Sequence, residues 1–245
     1  MAKTVLNLVS RKLVATTRTL TASALLAGAG LAQAVDLDVR IVNLTNGIYY
    51  TPFLVAAHPV GSSLFTVGQA ASPELQAMAE GGDISGLVGV LSTLNATVVE
   101  NPAGGLLPPA QSTTASLNTD GTDNVLLSVV AMLLPTNDAF AGLNAVPIPT
   151  DPGTYTYDLP AYDSGTEAND EIVNGGGAPN VPGIPVAPGG SGTGGSGVTG
   201  PDANTTVHIH RNAVGDTDPN GGASDLDATV HRWLNPVVRV VVTVN

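Results

Sequence analysis

Glycine and proline interrupt this chain so often that long helices have little room, and several of the segments between them alternate. The 245 residues include 29 Gly and 18 Pro, the residues that tight turns demand. In "VDLDVRIVNLT" (35–45), Val35, Leu37, Val39 and Ile41 alternate with Asp36, Asp38 and Arg40. A period of two places the apolar set on one face of an extended strand, half buried and half wet. Asn46-Gly47 then turns the chain into "IYYTPFLVAAH" (48–58), a second strand interrupted by Pro52.

One region reads as helical. In "SPELQAMAEGGD" (72–83), Ser72 suits an N-cap, Pro73 the first helical position, and Glu74 the positive end of the dipole. Gly81-Gly82 ends that helix, and Asp83 is placed to cap a second short one through "ISGLVGVLSTL", giving one or two short helices near 72–95. "LFTVG" (64–68) is ambiguous. "NVLLSVVAMLL" (124–134) is a continuous apolar run that suits a strand buried on both faces, with a buried helix as the alternative by periodicity alone. "TTASLNT", "GTYTYDLPAY" (153–162), "TTVHIHRN" (205–212) and "PVVRVVVTVN" (236–245) complete about eight strands. With few helices among them, the fold expected is all-β, an antiparallel β-sandwich. Residues 174–201, rich in Gly, Pro and Ser, read as a flexible insert within a single domain spanning 35–245.

Residues 1–34 read as a signal peptide. Lys3, Arg11, Lys12 and Arg18 precede a short apolar segment that closes on Ala32-Gln33-Ala34, the small-x-small pattern of a cleavage site. The expected location is therefore secreted, periplasmic or cell surface, with no membrane insertion after cleavage. Beyond residue 34 the only basic residues are Arg40, Arg211, Arg232 and Arg239. They stand against all 20 acids, a formal charge of −16. Such a chain is no partner for nucleic acid or an anionic membrane, both of which need clustered cations. There is no Cys, so disulfides contribute nothing to stability.

That imbalance peaks in "YDSGTEANDE" (162–171), where Asp163, Glu167, Asp170 and Glu171 crowd together with Asn169 around Gly165 and no nearby basic residue. Crowded carboxylates either stay solvated, raise their pKa values or bind a cation. Calcium takes six to eight oxygen ligands from loops of this composition. "LLPTNDAFAGL" (133–143) offers Asn137 and Asp138 as further donors at the end of a buried run. A second loop, "DTDPNGGASDLD" (216–227), sets Asp216, Asp218, Asn220 and Asp227 at EF-hand spacing, although flanking helices are missing and Pro219 intrudes. It reads as a flexible acidic turn or as a calcium loop in a β context. His208 and His210, two apart on one strand, have the spacing of a transition-metal pair but lack a recognisable third ligand.

Several stretches together resemble the spondin-N (F-spondin) family in its bacterial secreted form. They are "IVNLTNG" with "TPFLVAAH" (41–58), "LFTVGQAASPELQAMAEGGD" (64–83), "LPTNDAFAGL" (134–143), "AYDSGTEANDE" (161–171) and "RWLNPVVRVVV" (232–242). The resemblance implies a C2-like antiparallel sandwich holding Ca²⁺ in loops at one end, and a binding or adhesion module without catalytic activity. It implies Asp138 and Asp163 as first ligands, with Glu167, Asn137 and Asp170 as ligands or their supports. The Gly-rich insert and the lack of disulfides depart from animal members, and 216–227 has no counterpart in the pattern.

The leading expectation is a calcium-stabilised extracellular module whose ordered loop end meets a protein or glycan surface. One alternative is a subunit of a surface assembly, paired edge to edge through "VVRVVVTVN". Another is a glycoside hydrolase using Glu167 with Asp138 or Asp170 as acid and base. One Trp in the chain leaves such an enzyme little aromatic platform for sugar.

Overall fold

The computed structural model describes residues 35–190, 192–198 and 205–245; the leader reading for 1–34 lies outside them. Eleven strands and two helices follow one another as β1 (Asp36–Asn43), β2 (Tyr49–Tyr50), β3 (Leu54–His58), α1 (Pro73–Gly81), α2 (Ser85–Thr93), β4 (Thr97–Glu100), β5 (Ser112–Asn118), β6 (Leu126–Leu134), β7 (Ala139–Pro147), β8 (Gly153–Leu159), β9 (Ala161–Asp163), β10 (His208–Ile209) and β11 (Val238–Val244). They form an antiparallel β-sandwich of two sheets. One is four-stranded, in the order β5-β1-β11-β8; the other runs β10-β9-β7-β6-β3-β4, with β2 also paired to β6.

The alternation in β1 appears as expected: Leu37, Val39 and Ile41 are buried while Asp36 and Arg40 face water. In β6 both faces are dry, for a reason outside the strand. Leu127, Val129, Ala131 and Leu133 enter the core between the sheets. Val130, Met132 and Leu134 face the other way, onto Leu75 and Met78 of α1 and Leu87 and Leu91 of α2. The helices thus make a third layer. Ser72 accepts from Leu75 N–H at 3.2 Å, and Gly82, at φ 73°, closes α1 with its N–H on the Met78 carbonyl. Asp83 accepts from Ser85 N–H at 2.9 Å as α2 begins. "LFTVG" forms no strand; its Leu64 and Phe65 pack on the helix-facing cluster.

The carboxy-terminal strand is not an edge. β11 pairs with β1 along Val238–Val244 and with β8 along the same residues, so both of its hydrogen-bonding sides are taken. Edge-to-edge assembly through this strand is excluded, because pairing needs an open row of N–H and C=O groups.

The Gly/Pro-rich stretch after residue 174 is tied to the body where it is described. Ile184 is 0% exposed within the core between the sheets. Its N–H donates to the Ile172 carbonyl at 2.7 Å, and its carbonyl accepts from Gly175 N–H. Gly81 and Gly177 touch backbone to backbone, leaving no space for a Cβ on Gly81. Ile184→Ala should therefore lower unfolding stability by about 2–4 kcal/mol in a denaturant titration. Truncating the exposed Val181 to Ala should stay within about 0.5 kcal/mol. Equal effects would mean that the stretch does not belong to the core.

Candidate cation-binding site

Strand pairing brings two aspartates together. Thr136 makes the β6–β7 turn tight: its Oγ1 donates to the Leu133 carbonyl at 2.7 Å and accepts from Ala139 N–H at 3.2 Å. Asp138 therefore sits at the head of β7, whose first residue, Ala139, lies opposite Asp163 of β9. The following loop folds back over Asp138. Its Oδ2 accepts from Ser164 Oγ at 2.8 Å, Thr166 N–H at 3.0 Å and Glu167 N–H at 3.2 Å. Gly165 permits this reversal with φ 71°, and its α-carbon presses on the backbone of Thr206.

Both aspartates are lost to solvent, Asp138 at 0% and Asp163 at 1% exposure. Asp163 spends its oxygens on Gly165 N–H at 2.8 Å and Asn169 Nδ2 at 2.7 Å. Asp138 Oδ1 and Glu167 Oε2, in contrast, are buried with no hydrogen-bond partner among the described residues. Burial first, then the charge of Asp163, pushes the Asp138 carboxyl up to about 7. Burial likewise lifts Glu167 to about 8 against a hydrogen bond from Gly183 N–H, with Glu80, Asp138 and Asp170 adding repulsion. A buried carboxylate oxygen without a donor is costly when ionised, and either a proton or a cation relieves it.

The remaining expected donors divide. Asn137 and Asp170 satisfy each other and the backbone: Asn137 Nδ2 donates to Asp170 Oδ1 at 2.8 Å, while Asn137 Oδ1 accepts from Glu171 N–H at 3.2 Å. They tie the two loops together beside the aspartates. Glu167 Oε1 accepts from Gly183 N–H, linking this loop to the Gly-rich stretch. Glu80, Glu167 and Asp170 line a cavity of about 310 Å³ that Asn180 and Pro182 border.

In the 216–227 loop the carboxylates serve as turn caps. Asp216 accepts from the N–H groups of Asp218, Ala223 and Ser224 at 2.8–2.9 Å. Asp218 accepts from Asn220 N–H, and Asp227 from Thr229 N–H and Oγ1. These donors hold Asp216 and Asp227 below the ordinary carboxylate range. None of their oxygens is a buried orphan among the described residues.

The histidines are engaged as well. His208 Nε2 lies 3.7 Å and His210 Nε2 3.9 Å from Asp163 Oδ2. His210 Nδ1 accepts from Asn212 N–H at 3.0 Å, which leaves Nε2 as the protonated nitrogen facing Asn169 Oδ1 at 3.1 Å. That tautomer gives a metal no lone pair. Among the described residues no group of three or more His, Cys, Asp or Glu is arranged to hold a metal ion. The candidate is thus a pair of aspartates with Glu167 nearby, short of a complete carboxylate cage.

Three further acids matter: the sequence reading placed Glu171 in the crowded loop without naming it a ligand, and did not place Glu80 or Asp225 at all. Glu80, buried in the last turn of α1, accepts from Gln76 Nε2 and Asn180 N–H, both at 2.8 Å. An acid at the negative end of a helix dipole is unfavourable, and that is the signal which marks it. Glu171, at φ 59°, accepts from Val214 N–H, Gly215 N–H and Ser224 Oγ at 2.5–2.9 Å. Asp225 accepts from the N–H groups of Val173, Thr193 and Gly195 at 2.7–2.9 Å. No local pattern distinguishes Asp225 from a solvated acid, and the crowded loop that holds Glu171 does not reveal these partners.

The raised carboxyls set a pH dependence. Folded Asp138 and Glu167 keep their protons up to about 7 and 8, whereas unfolded carboxyls titrate near pH 4. The folded state binds more protons within that window, so their contribution to stability falls as pH rises from about 4 to 8. His58 and His231, lowered by burial, act in the opposite direction. The comparison of wild type with Asp138→Asn separates the two. In chelator, the variant should gain thermal stability relative to wild type as pH goes from 5 to 8. A constant difference would contradict the raised Asp138.

The Spondin_N family model matches residues 43–174, more than half of the chain and the whole stretch from the first turn through Asp138, Asp163 and Glu171. A comparison with curated proteins finds no match. Spondin-N domains are typically extracellular and of a non-catalytic, binding type. Among the described residues no helix is long and apolar enough to cross a membrane. Matched over more than half its length, the chain belongs to the spondin-N family.

Proposed function

We propose that the protein is a secreted, calcium-stabilised β-sandwich that works as an extracellular binding and adhesion module. The observation that carries this reading is the buried Asp138–Asp163 pair with an oxygen of Asp138 left without any donor. Calcium fits the donor chemistry, because every candidate ligand offers oxygen and the loops bearing them are irregular enough to bend around a hard cation. Asp138, Asp163 and Glu167 would hold it, with Asn137 and Asp170 keeping the loops in register. The ion would supply a fixed positive charge beside a pair that otherwise has only His208 and His210 near Asp163, which lets both aspartates remain ionised.

The role that follows is structural. Asp138 is enclosed by its own loop and buried, which supports a structural role over a Glu167–Asp138 acid–base pair. Drawing the β6–β7 turn and the loop after β9 onto one ion would stiffen one end of the sandwich, which then meets a protein or glycan surface. Export rests on the leader pattern in residues 1–34 and on the acidic composition.

Calcium at about 100 times its dissociation constant should stabilise the fold by about 2.7 kcal/mol. For a domain of this size that raises the melting midpoint by roughly 5–10 °C. Asp138→Asn should lose most of the rise, whereas Asp216→Asn should keep it. A melting curve indifferent to calcium and EDTA would overturn the proposal.

A further inference from the structure

We propose that a recess beside Trp233 recognises an acidic peptide segment of a partner protein, a Glu or Asp side chain docking on Arg232 with a neighbouring aliphatic side chain on Leu44 and Leu234. The proposal rests on the reading of the chain as a binding module and gives that module a contact surface. The recess has a volume of about 560 Å³ and lies between the turn after β1 and the segment 228–234. Gly47 keeps its two walls together, since its α-carbon abuts Val230 so closely that a Cβ would collide with the Val230 carbonyl.

Two groups in it lack the partners their chemistry calls for. Trp233 is only 6% exposed, yet its indole Nε1–H has no acceptor among the described residues. That nitrogen is itself shut off from solvent, so a partner in the recess would be sensed by the indole and not bonded by it. Arg232 is exposed and has no hydrogen-bond or ion-pair partner among the described residues, whereas Arg239 is held by Asp158 at 2.7 and 2.9 Å. No acid lines the recess, although the chain carries 20. Asn212 gives its Oδ1 to Trp233 N–H at 3.0 Å, which leaves its amide N–H₂ as another donor. Donors without acceptors select a carboxylate, and a planar guanidinium binds one bidentately.

The apolar half points to a peptide over a sugar. Leu234 is 88% exposed, and this is not the exposure of a loose loop. Trp233 before it is pinned by Asn212, and Asn235 after it accepts from Ala161 N–H at 2.9 Å. Leu44 adds a second exposed aliphatic side chain across the recess. An ordered apolar patch of this kind is a mark of a protein contact. A glycan would want an open aromatic face, and the buried Trp233 has none to give. The recess lies close to the aspartate pair: the Trp233 ring is 5.3 Å from that of His210, which stands 3.9 Å from Asp163.

The single Trp in the chain makes its indole N–H a unique reporter. ¹⁵N-labelled protein in calcium buffer is titrated to millimolar concentration with blocked peptides Gly-Glu-Xaa-Gly, where Xaa is Leu, Ile, Val or Phe. Gln-containing counterparts and trigalacturonate serve as the comparison arms. At least one Glu peptide should shift the indole signal saturably. Its Gln counterpart, Arg232→Gln and Leu234→Ser should each weaken the interaction at least tenfold. Both substitutions lie on the surface, and the melting curve checks that the variants fold. A silent indole, an equal response to Gln peptides, an unaffected Arg232→Gln, or a response to trigalacturonate alone would each overturn the proposal. If the indole is silent while calcium still raises the melting midpoint, only the recess assignment falls. Peptide binding without any calcium response removes the cation reading and leaves the recess.

Discussion

Two carboxylates held side by side out of water cannot both remain ionised without a positive charge, and Asp138 and Asp163 are held that way by the strand register itself. Ala139 opposite Asp163 is part of the β7–β9 ladder, so the pair cannot separate without breaking sheet hydrogen bonds. Every nearby loop is arranged around this fact. The loop after β9 donates two backbone N–H groups to Asp138, Asn169 reaches back to Asp163, and Asn137 binds the far end of the same loop. The donors saturate one oxygen of Asp138 and leave the other bare.

The same chemistry organises the irregular part of the domain. Between β9 and β11 long stretches of the described residues lack regular pairing, and their backbone N–H groups need acceptors. Acidic side chains provide them. Glu80 and Glu167 hold the Gly-rich stretch, Asp225 holds its flanks, and Glu171 fastens residues 214–215 and Ser224. A chain with hardly any basic residues thus uses its carboxylates as caps on peptide groups where other proteins use ion pairs. In 216–227 this reverses the meaning of the motif: spacing that suits calcium ligation also suits a run of side-chain-capped turns, and here the caps are made.

The regular elements were legible because their signals are local. Alternation located β1, the Ser72-Pro73 start and Gly81-Gly82 stop bounded α1, and the apolar run 124–134 marked a strand dry on both faces. What covers its outer face, a pair of helices, is a tertiary fact that no window shows. β2, β9 and β10 have two or three residues each and owe their strand state to their neighbours. β11 carries an apolar pattern that reads equally as edge or centre, and pairing on both sides decided it. In the site, Asp138 and the 163–171 loop stood out through charge crowding and resemblance. Asp225 did not, because the backbone groups it accepts from lie 30–52 residues away; Glu171 stood in the crowded loop, but its partners, 43–53 residues on, were not legible there.

The proposed cation would sit at the Asp138–Asp163 pair. The most direct measurement is an anomalous difference map from a crystal soaked with calcium, collected at a long wavelength where calcium scatters anomalously. The expected result is one strong peak within coordination distance of the free Asp138 oxygen and of Asp163, with Glu167 turned toward it. A map without a peak there, or with calcium only in the 216–227 loop, would contradict the account.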